Sequence, residues 1–261
     1  MNQNNSIKYN DSSIFISKNN SGSEHPLMTL VNQAYDIFSK LGFEIAVGPE
    51  MENEWYNFDA LNMPKDHPAR DMQDTFWVKE KIKKEKEERS ERKVLRTHVT
   101  CVSAREIEKA KEEGRIPCAY ISIGKVFRNE ATDATHEMQF FQIDGTMVGK
   151  IKDGISLANL KGVLDFFYKE MLGSDVTVEF RPSFFPFTEP SLEVHAKFKG
   201  KWLEMMGAGM IHPNVLENVG LNSKEYQGFA FGGGLDRIAM IKWGIPDVRL
   251  LYQGDLRLNQ F

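Results

Sequence analysis

Apolar residues recur along this chain with two periods. Leu27, Leu30, Val31, Ala34, Ile37, Phe38 and Leu41 fall three or four residues apart, the stripe of an amphipathic helix that lays one face on a core. Pro26 suits the first turn of that helix and Gly42 its C-terminal stop. Residues 43–47 read as a short strand broken by Gly48-Pro49. Residues 102–114 predict a second helix ended by Gly114, and Asp153 reads as the cap of a third that runs to about Leu172. Residues 119–128 and 137–148 read as a pair of antiparallel strands, and residues 175–181, 192–198 and 202–210 as further strands. A last strand at 228–234 runs into a helix at 235–243. Strands clustered together with helices at the edges predict an α+β domain built on a mainly antiparallel sheet. No internal repeat interrupts the pattern.

Composition sharpens this picture at three points. Apolar residues make up 41% of the 261 residues, enough to bury a sizeable core. Half of residues 1–24 are Asn or Ser, so a mobile tail is expected there and a globular domain over 25–261. Residues 79–93 form a charge run, KEKIKKEKEERSERK. It reads as a solvated helix or hairpin tip, or as a contact for a nucleic acid. The net charge is −4 and the pI about 5.9, which argues against a whole surface built to grip nucleic acid. Two cysteines give no disulfide framework and point to a reducing cytoplasm. There is no run of about 18 apolar residues and no basic-then-apolar leader, so neither a membrane span nor a secretory signal is expected. The six histidines are not paired at zinc spacing.

Candidate chemistry concentrates in two segments. Residues 124–145 read GKVFRNEATDATHEMQFFQIDG. Two apolar runs are joined by a polar loop that carries Arg128, Glu130 and His136, and Phe140 follows on the second run. Residues 228–244 read GFAFGGGLDRIAMIKWG, a glycine-rich strand entering a helix that bears Arg237. Two arginines, a carboxylate and an aromatic ring suit a nucleotide held with bent phosphates and a stacked base. A guanidinium keeps its charge and bonds two oxygens at once. The glycines do not fit the G-x-x-x-x-G-K-S/T phosphate loop; small residues here let a ligand approach the backbone. Two further strings stand out: LRTHVT at 95–100 and FFPFTEPS at 184–191.

These strings resemble motifs 2 and 3 of the class II aminoacyl-tRNA synthetases. The wording is closest to the family of bacterial phenylalanyl-tRNA synthetase α subunits, from about residue 25 to Phe261. YNFDAL at 56–61 and HPARDMQDTFW at 67–77 add the region of motif 1, which builds the class II dimer interface. The resemblance implies ATP and Mg²⁺, with phenylalanine and tRNA(Phe) as the other substrates. It assigns Arg128 to the α-phosphate and the amino-acid carboxylate, Phe140 to one face of adenine, and Arg237 to the other face and the γ-phosphate. Glu130 and His136 complete the ATP site. Phe185 and Phe187 meet the substrate ring, and Ala230 forms the pocket floor. His98, Thr100, Gln142 and Asp144 take the polar end of the amino acid. Glu189 and, less closely, Glu193 match carboxylates for the metal. Several positions depart from the family wording: Thr100 replaces Ser, Ser103 replaces Gln, Phe141 replaces His and Asp144 replaces Glu.

The resemblance further implies a β subunit, an (αβ)₂ assembly and α–α contacts near residues 27–60. Family members carry a tRNA-binding coiled-coil arm before the catalytic core, and no counterpart is expected in the Asn/Ser-rich tail. That difference also admits a paralogue that activates an amino acid without charging tRNA. A non-catalytic regulatory module is the third reading, which the retained Arg128, Glu130, Phe140 and Arg237 disfavour.

Overall fold

The computed structural model describes residues 23–70, 75–78, 92–255 and 258. The tail assigned to residues 1–24 and the charge run lie almost wholly outside these. A seven-stranded sheet organises the rest, in the order β1-β4-β5-β9-β8-β7-β6. The strands are β1 (Glu44–Ile45), β4 (Cys118–Phe127), β5 (Gln139–Lys150), β6 (Thr177–Phe185), β7 (Thr188–Phe198), β8 (Lys201–Ile211) and β9 (Tyr226–Gly234). Every pairing is antiparallel except that of β1 with β4. A separate ribbon pairs β2 (Met51–Asn53) with β3 (Lys93–Leu95). The expected five-residue strand at 43–47 is thus reduced to two paired residues, because the chain must turn at Gly48-Pro49 to reach the ribbon.

Helices α1 (Pro26–Lys40), α4 (Leu157–Leu172) and α6 (Leu235–Trp243) pack with the sheet into the main core. The stripe predicted for α1 is the buried one: Leu27, Leu30, Ala34, Ile37 and Phe38 are all buried, and Val31 and Leu41 partly so. Helix α3 (Thr100–Glu112) packs with β4 in a second cluster, and Gly114 closes it at φ +67°. Two short helices, α2 (Glu54–Asn57) and α5 (Pro213–Asn218), complete the domain. The cap of α4 differs from the expected one. Asp153 sits in a preceding 3₁₀ turn and accepts the Lys150 N–H at 2.8 Å. Ser156 caps the helix through a reciprocal box with Asn159. Asp153 and Ser156 are both capping residue types and stand three positions apart, so the sequence alone does not separate them. Strands β6 and β7 also run further than expected, because the 184–188 segment is the turn of their hairpin rather than a free loop.

Side chains on a strand alternate between faces, and β5 and β9 divide their residues sharply. Ile143, Phe229 and Phe231 enter the helix-covered core, whereas Gln142, Asp144, Ala230 and Gly232 line a cavity on the other side. Gly145 pairs with Phe231 across these strands, and a Cβ at Gly145 would lie 2.1 Å from the Phe231 ring. That ring stacks on Phe38 at 5.3 Å, and Phe38 stacks on Phe167 at 5.0 Å. Gly145→Ala should therefore overpack the core and cost about 1–3 kcal/mol. Chemical denaturation of the purified variant measures this, and an unchanged unfolding midpoint would contradict the interlock.

Candidate active site

The cavity encloses about 1210 Å³ and is chemically graded from end to end. Its apolar end holds Met63, Phe185, Phe187 and Ala230. The Phe185 and Phe187 rings are nearly parallel, with centroids 5.9 Å apart. The Phe185 N–H donates to Ser191 Oγ at 3.0 Å, and Gly207 leaves room for its ring, where a Cβ would come within 2.9 Å. Phe187 and Ala230 both pack on the cluster formed by Ala60, Val148 and Ile211.

The middle of the cavity is a buried polar floor. His98, Thr100, Gln142 and Asp144 all line it, as the sequence led us to expect. Asp144 is 2% exposed, and its two oxygens accept from Thr100 Oγ1 at 2.8 Å and Ser103 Oγ at 2.5 Å. Burial pushes its carboxyl up to about 7 against the pull of those two hydroxyls. The departures from the family wording are thus coupled, since the shorter carboxylate is held by the two substituted hydroxyls. His98 Nε2 donates to the Asn57 carbonyl at 2.9 Å, which leaves Nδ1 as an acceptor with no partner among the described residues. Burial, with Arg128 and Arg96 nearby, holds the ring down at about 4. Gln142 spends its oxygen on the Val99 N–H at 2.9 Å, so its amide NH₂ remains a donor.

The third end is cationic. Arg128 leaves β4 with its guanidinium carbon 5.0 Å from the Phe140 centroid and its Nε 3.4 Å from the Thr97 carbonyl. Arg237 stands in the first turn of α6, and Glu130, Glu137 and His136 complete the wall. The intervening loop is shaped by Asp133, which accepts the Thr135 and His136 N–H groups at 2.6 and 2.9 Å. The backbone N–H of Thr135 and the His136 ring hold that carboxyl well below its ordinary value. The triple glycine has a different role from the expected one. A Cβ at Gly232 would press on Asp144, and one at Gly233 on Met205 and Met206; only Gly234 has open space beside it. Gly232 therefore makes room for the cavity-floor carboxylate, Gly233 for the neighbouring strand β8, and Gly234 leaves the backbone open.

The two expected metal carboxylates fall outside the cavity wall. Glu189 is exposed on β7, and Glu193 is engaged by Ser183 Oγ at 2.8 Å and His195 at 3.4 Å. The sequence reading missed Glu204, which does line the cavity. Val194 opposes Met206 while His195 opposes Glu204, so Met205 is an extra, bulged residue. Plain alternation from Gly207 and Gly209 puts Met205 on the cavity side; with the bulge, Glu204 lines the cavity as well. His67, the first residue of the 67–77 string, also lines the cavity.

The two buried titrating groups bias stability in opposite directions. His98 has a folded pKa of about 4 against an ordinary 6.5, so its contribution is lost as pH falls through that range. Asp144 has a folded pKa of about 7 against 3.8, so its contribution is lost as pH rises. The slopes oppose each other between pH 4 and 6.5. Asp144→Asn should unmask a rise in stability with pH, relative to wild type, of up to about 1.4 kcal/mol per pH unit. His98→Asn should unmask a fall. Urea unfolding of both variants across pH 4–7 reads these slopes, and variants that run parallel to wild type would disprove them.

Comparison with known proteins places the chain in a family. The class II core domain (F) family of tRNA synthetases matches residues 9–261. The phenylalanine–tRNA ligase α subunits of Bacillus mycoides and Bacillus cytotoxicus are each 49% identical over 253 residues, covering 92% of this chain and 69% of theirs. A pyrrolysyl-tRNA synthetase from Desulfitobacterium hafniense shares the fold at a TM-score of 0.66 and 19% identity, over 87% of this chain and 73% of its own. The chain belongs to the class II tRNA synthetase core family and, within it, to the phenylalanine–tRNA ligase α subunits.

Proposed function

We propose that this cavity activates phenylalanine with ATP and passes the phenylalanyl group to tRNA(Phe). The observation that carries this reading is the grading of one cavity into an aromatic end, a buried acceptor floor and a two-arginine end. With 5.9 Å between the Phe185 and Phe187 centroids, no third ring fits between them. The substrate ring therefore meets their edges, a favoured aromatic geometry, above Ala230. The ammonium group donates to His98 Nδ1 and to the Asp144 carboxylate, both acceptors at neutral pH once the cation arrives. Gln142 NH₂ and Arg128 orient the carboxylate.

A carboxylate oxygen of phenylalanine attacks the α-phosphorus. That bond forms as the bond to the bridging oxygen breaks, and pyrophosphate leaves. The terminal ribose hydroxyl of the tRNA then attacks the acyl carbon and AMP departs. The protein supplies positioning and preorganised charge. Arg128 moves from the ring face of Phe140 to the α-phosphate, adenine stacks on Phe140, and Arg237 closes over it. Glu130 and His136 border the nucleotide. The donor set fits a magnesium ion held mainly by phosphates. Glu204 lines the cavity with no side-chain hydrogen bond to the described residues, among which no cluster of three His, Cys, Asp or Glu stands ready for a metal. Mg²⁺ keeps its waters and takes few protein ligands, and when bound it would neutralise phosphate charge.

An (αβ)₂ assembly in the cytoplasm accompanies this reading. Ile45, Val47 and Met51 are 51%, 82% and 46% exposed near motif 1, the apolar surface that an α–α contact would cover. Among the described residues no helix is long and apolar enough to cross a membrane, and both cysteines are free. The chain's acidic balance leaves much of the tRNA contact to a β subunit.

Pyrophosphate exchange with phenylalanine, assayed on the chain with its β subunit, tests the activity directly. Arg128→Ala should lower exchange by about 10²-fold or more, as expected for removal of one preorganised charge stabiliser. Exchange close to wild type would remove Arg128 from the phosphate site. Ala230→Gly should admit para-chlorophenylalanine, shifting discrimination by about 1–3 kcal/mol through one methyl. Continued exclusion of that analogue would show that Ala230 does not border the para position.

A further inference from the structure

A 3₁₀ turn near the C-terminus, Val248–Tyr252, carries no residue assigned to substrate, yet Val248 borders the cavity and the turn is bonded to the loop after Arg128, to the N-cap of α1 and to α6. The Val248 N–H donates to the Ala134 carbonyl at 2.9 Å, in the loop that follows Arg128. The Leu251 carbonyl accepts from His25 Nε2 at 3.0 Å, at the N-cap of α1. His25 Nδ1 is itself occupied as the acceptor for the Leu27 N–H, which fixes the proton on Nε2. The Tyr252 hydroxyl donates to Asp236 Oδ1. The other oxygen of Asp236 accepts the Phe141 N–H at 2.6 Å.

Asp236 therefore joins two chain neighbours of the nucleotide clamp. Arg237 follows it directly in α6, and Phe141 follows Phe140 directly in β5. Asp236 is 3% exposed, and among the described residues its carboxylate has the Tyr252 hydroxyl and backbone N–H groups as its donors. A buried carboxylate needs its hydrogen bonds to stay put. Burial and the adjacent carboxylate push the Tyr252 phenol well above its ordinary ionisation, so it remains a donor.

We infer that Tyr252 is a positioning residue for the nucleotide, acting through Asp236 to set the distance between Arg237 and the Phe140 ring. The inference rests on the ATP site proposed above. Phenylalanine touches neither Arg237 nor the turn, so its binding should be insensitive to Tyr252.

The test is Tyr252→Phe, which keeps the ring and removes the donor, assayed with the β subunit by pyrophosphate exchange. The KM for ATP should rise about tenfold, in proportion to one lost hydrogen bond to a charged group and a displaced clamp. The KM for phenylalanine should hold, while the melting temperature should fall by a few degrees as one buried acceptor loses its donor. Asp236→Asn should raise the KM for ATP as well, and the double variant should lose little more than the worse single variant, because both act through one bond. An unchanged KM for ATP in Tyr252→Phe, an equal rise in both KM values, or additive losses in the double variant would each overturn the inference and leave the ATP site standing. Wild-type protein that neither exchanges pyrophosphate nor binds ATP would overturn both.

Discussion

The ring of Phe231 occupies the space that Gly145 leaves open, and the two-sided character of the sheet depends on this contact. Because Phe231 can sink toward α1 and stack on Phe38, its neighbours Ala230 and Gly232 must face the opposite way. Gly232 then makes room for Asp144, and Ala230 meets the aromatic hairpin turn. The small residues of β5 and β9 thus answer to both sides at once. Gly145 of β5 admits the Phe231 ring on the core side, and Gly232 of β9 admits the Asp144 carboxylate on the cavity side. A slip of one residue in the β5–β9 register would exchange core and cavity along the whole strand.

The polar floor carries unfavourable electrostatics that the fold sustains from outside the cavity. Arg96 is 4% exposed, and the hydrogen bonds of its guanidinium run to the backbone carbonyls of Lys125, Gly48 and Pro49. It fastens the chain entering His98 to β4 and to the turn after β1. Asn57 does the same from α2: its amide bonds Thr97 through both oxygen and nitrogen, and its carbonyl fixes the tautomer of His98. A neutral imidazole and a carboxyl pushed up to about 7 are both costs of burial. A cation arriving between them restores the charge on Asp144 and gives His98 Nδ1 a donor. The site is therefore complementary to an ammonium group in a way that a hydrophobic floor of the same shape would not be.

Much of this was legible in the sequence, for reasons that differ by element. The apolar stripe of α1 and the alternation in β4, β5 and β9 are strong periodic signals, and the structure places those elements within a few residues of expectation. The residues of the three cavity ends were legible through motif wording, since two arginines on separate elements carry no periodic mark. What stayed hidden depends on geometry that spacing does not encode. The cap of α4 was misplaced because Asp153 and Ser156 each begin a plausible first turn. Glu204 was missed because a bulged residue interrupts the alternation of β8, and Glu189 and Glu193 were named on wording alone. The link from Tyr252 to Asp236 spans 16 residues and a turn, and nothing in either residue's neighbourhood announces it.

The coupled substitutions around Asp144 show how such a site tolerates change. An aspartate in place of a glutamate withdraws the carboxylate by one methylene from whatever it meets. Thr100 and Ser103 reach it from the first turn of α3, one hydroxyl to each oxygen, so neither lone-pair cluster is left bare in a desolvated place. A glutamine at 103 is longer and would compete for the same volume, whereas serine fits beside the shorter acid. Threonine at 100 keeps the hydroxyl that serine would supply. The three positions therefore behave as one unit. Replacing Asp144 with Glu alone would drive the carboxylate into the cavity or against those hydroxyls, and reverting Thr100 or Ser103 alone would strip a buried acid of one of its two donors.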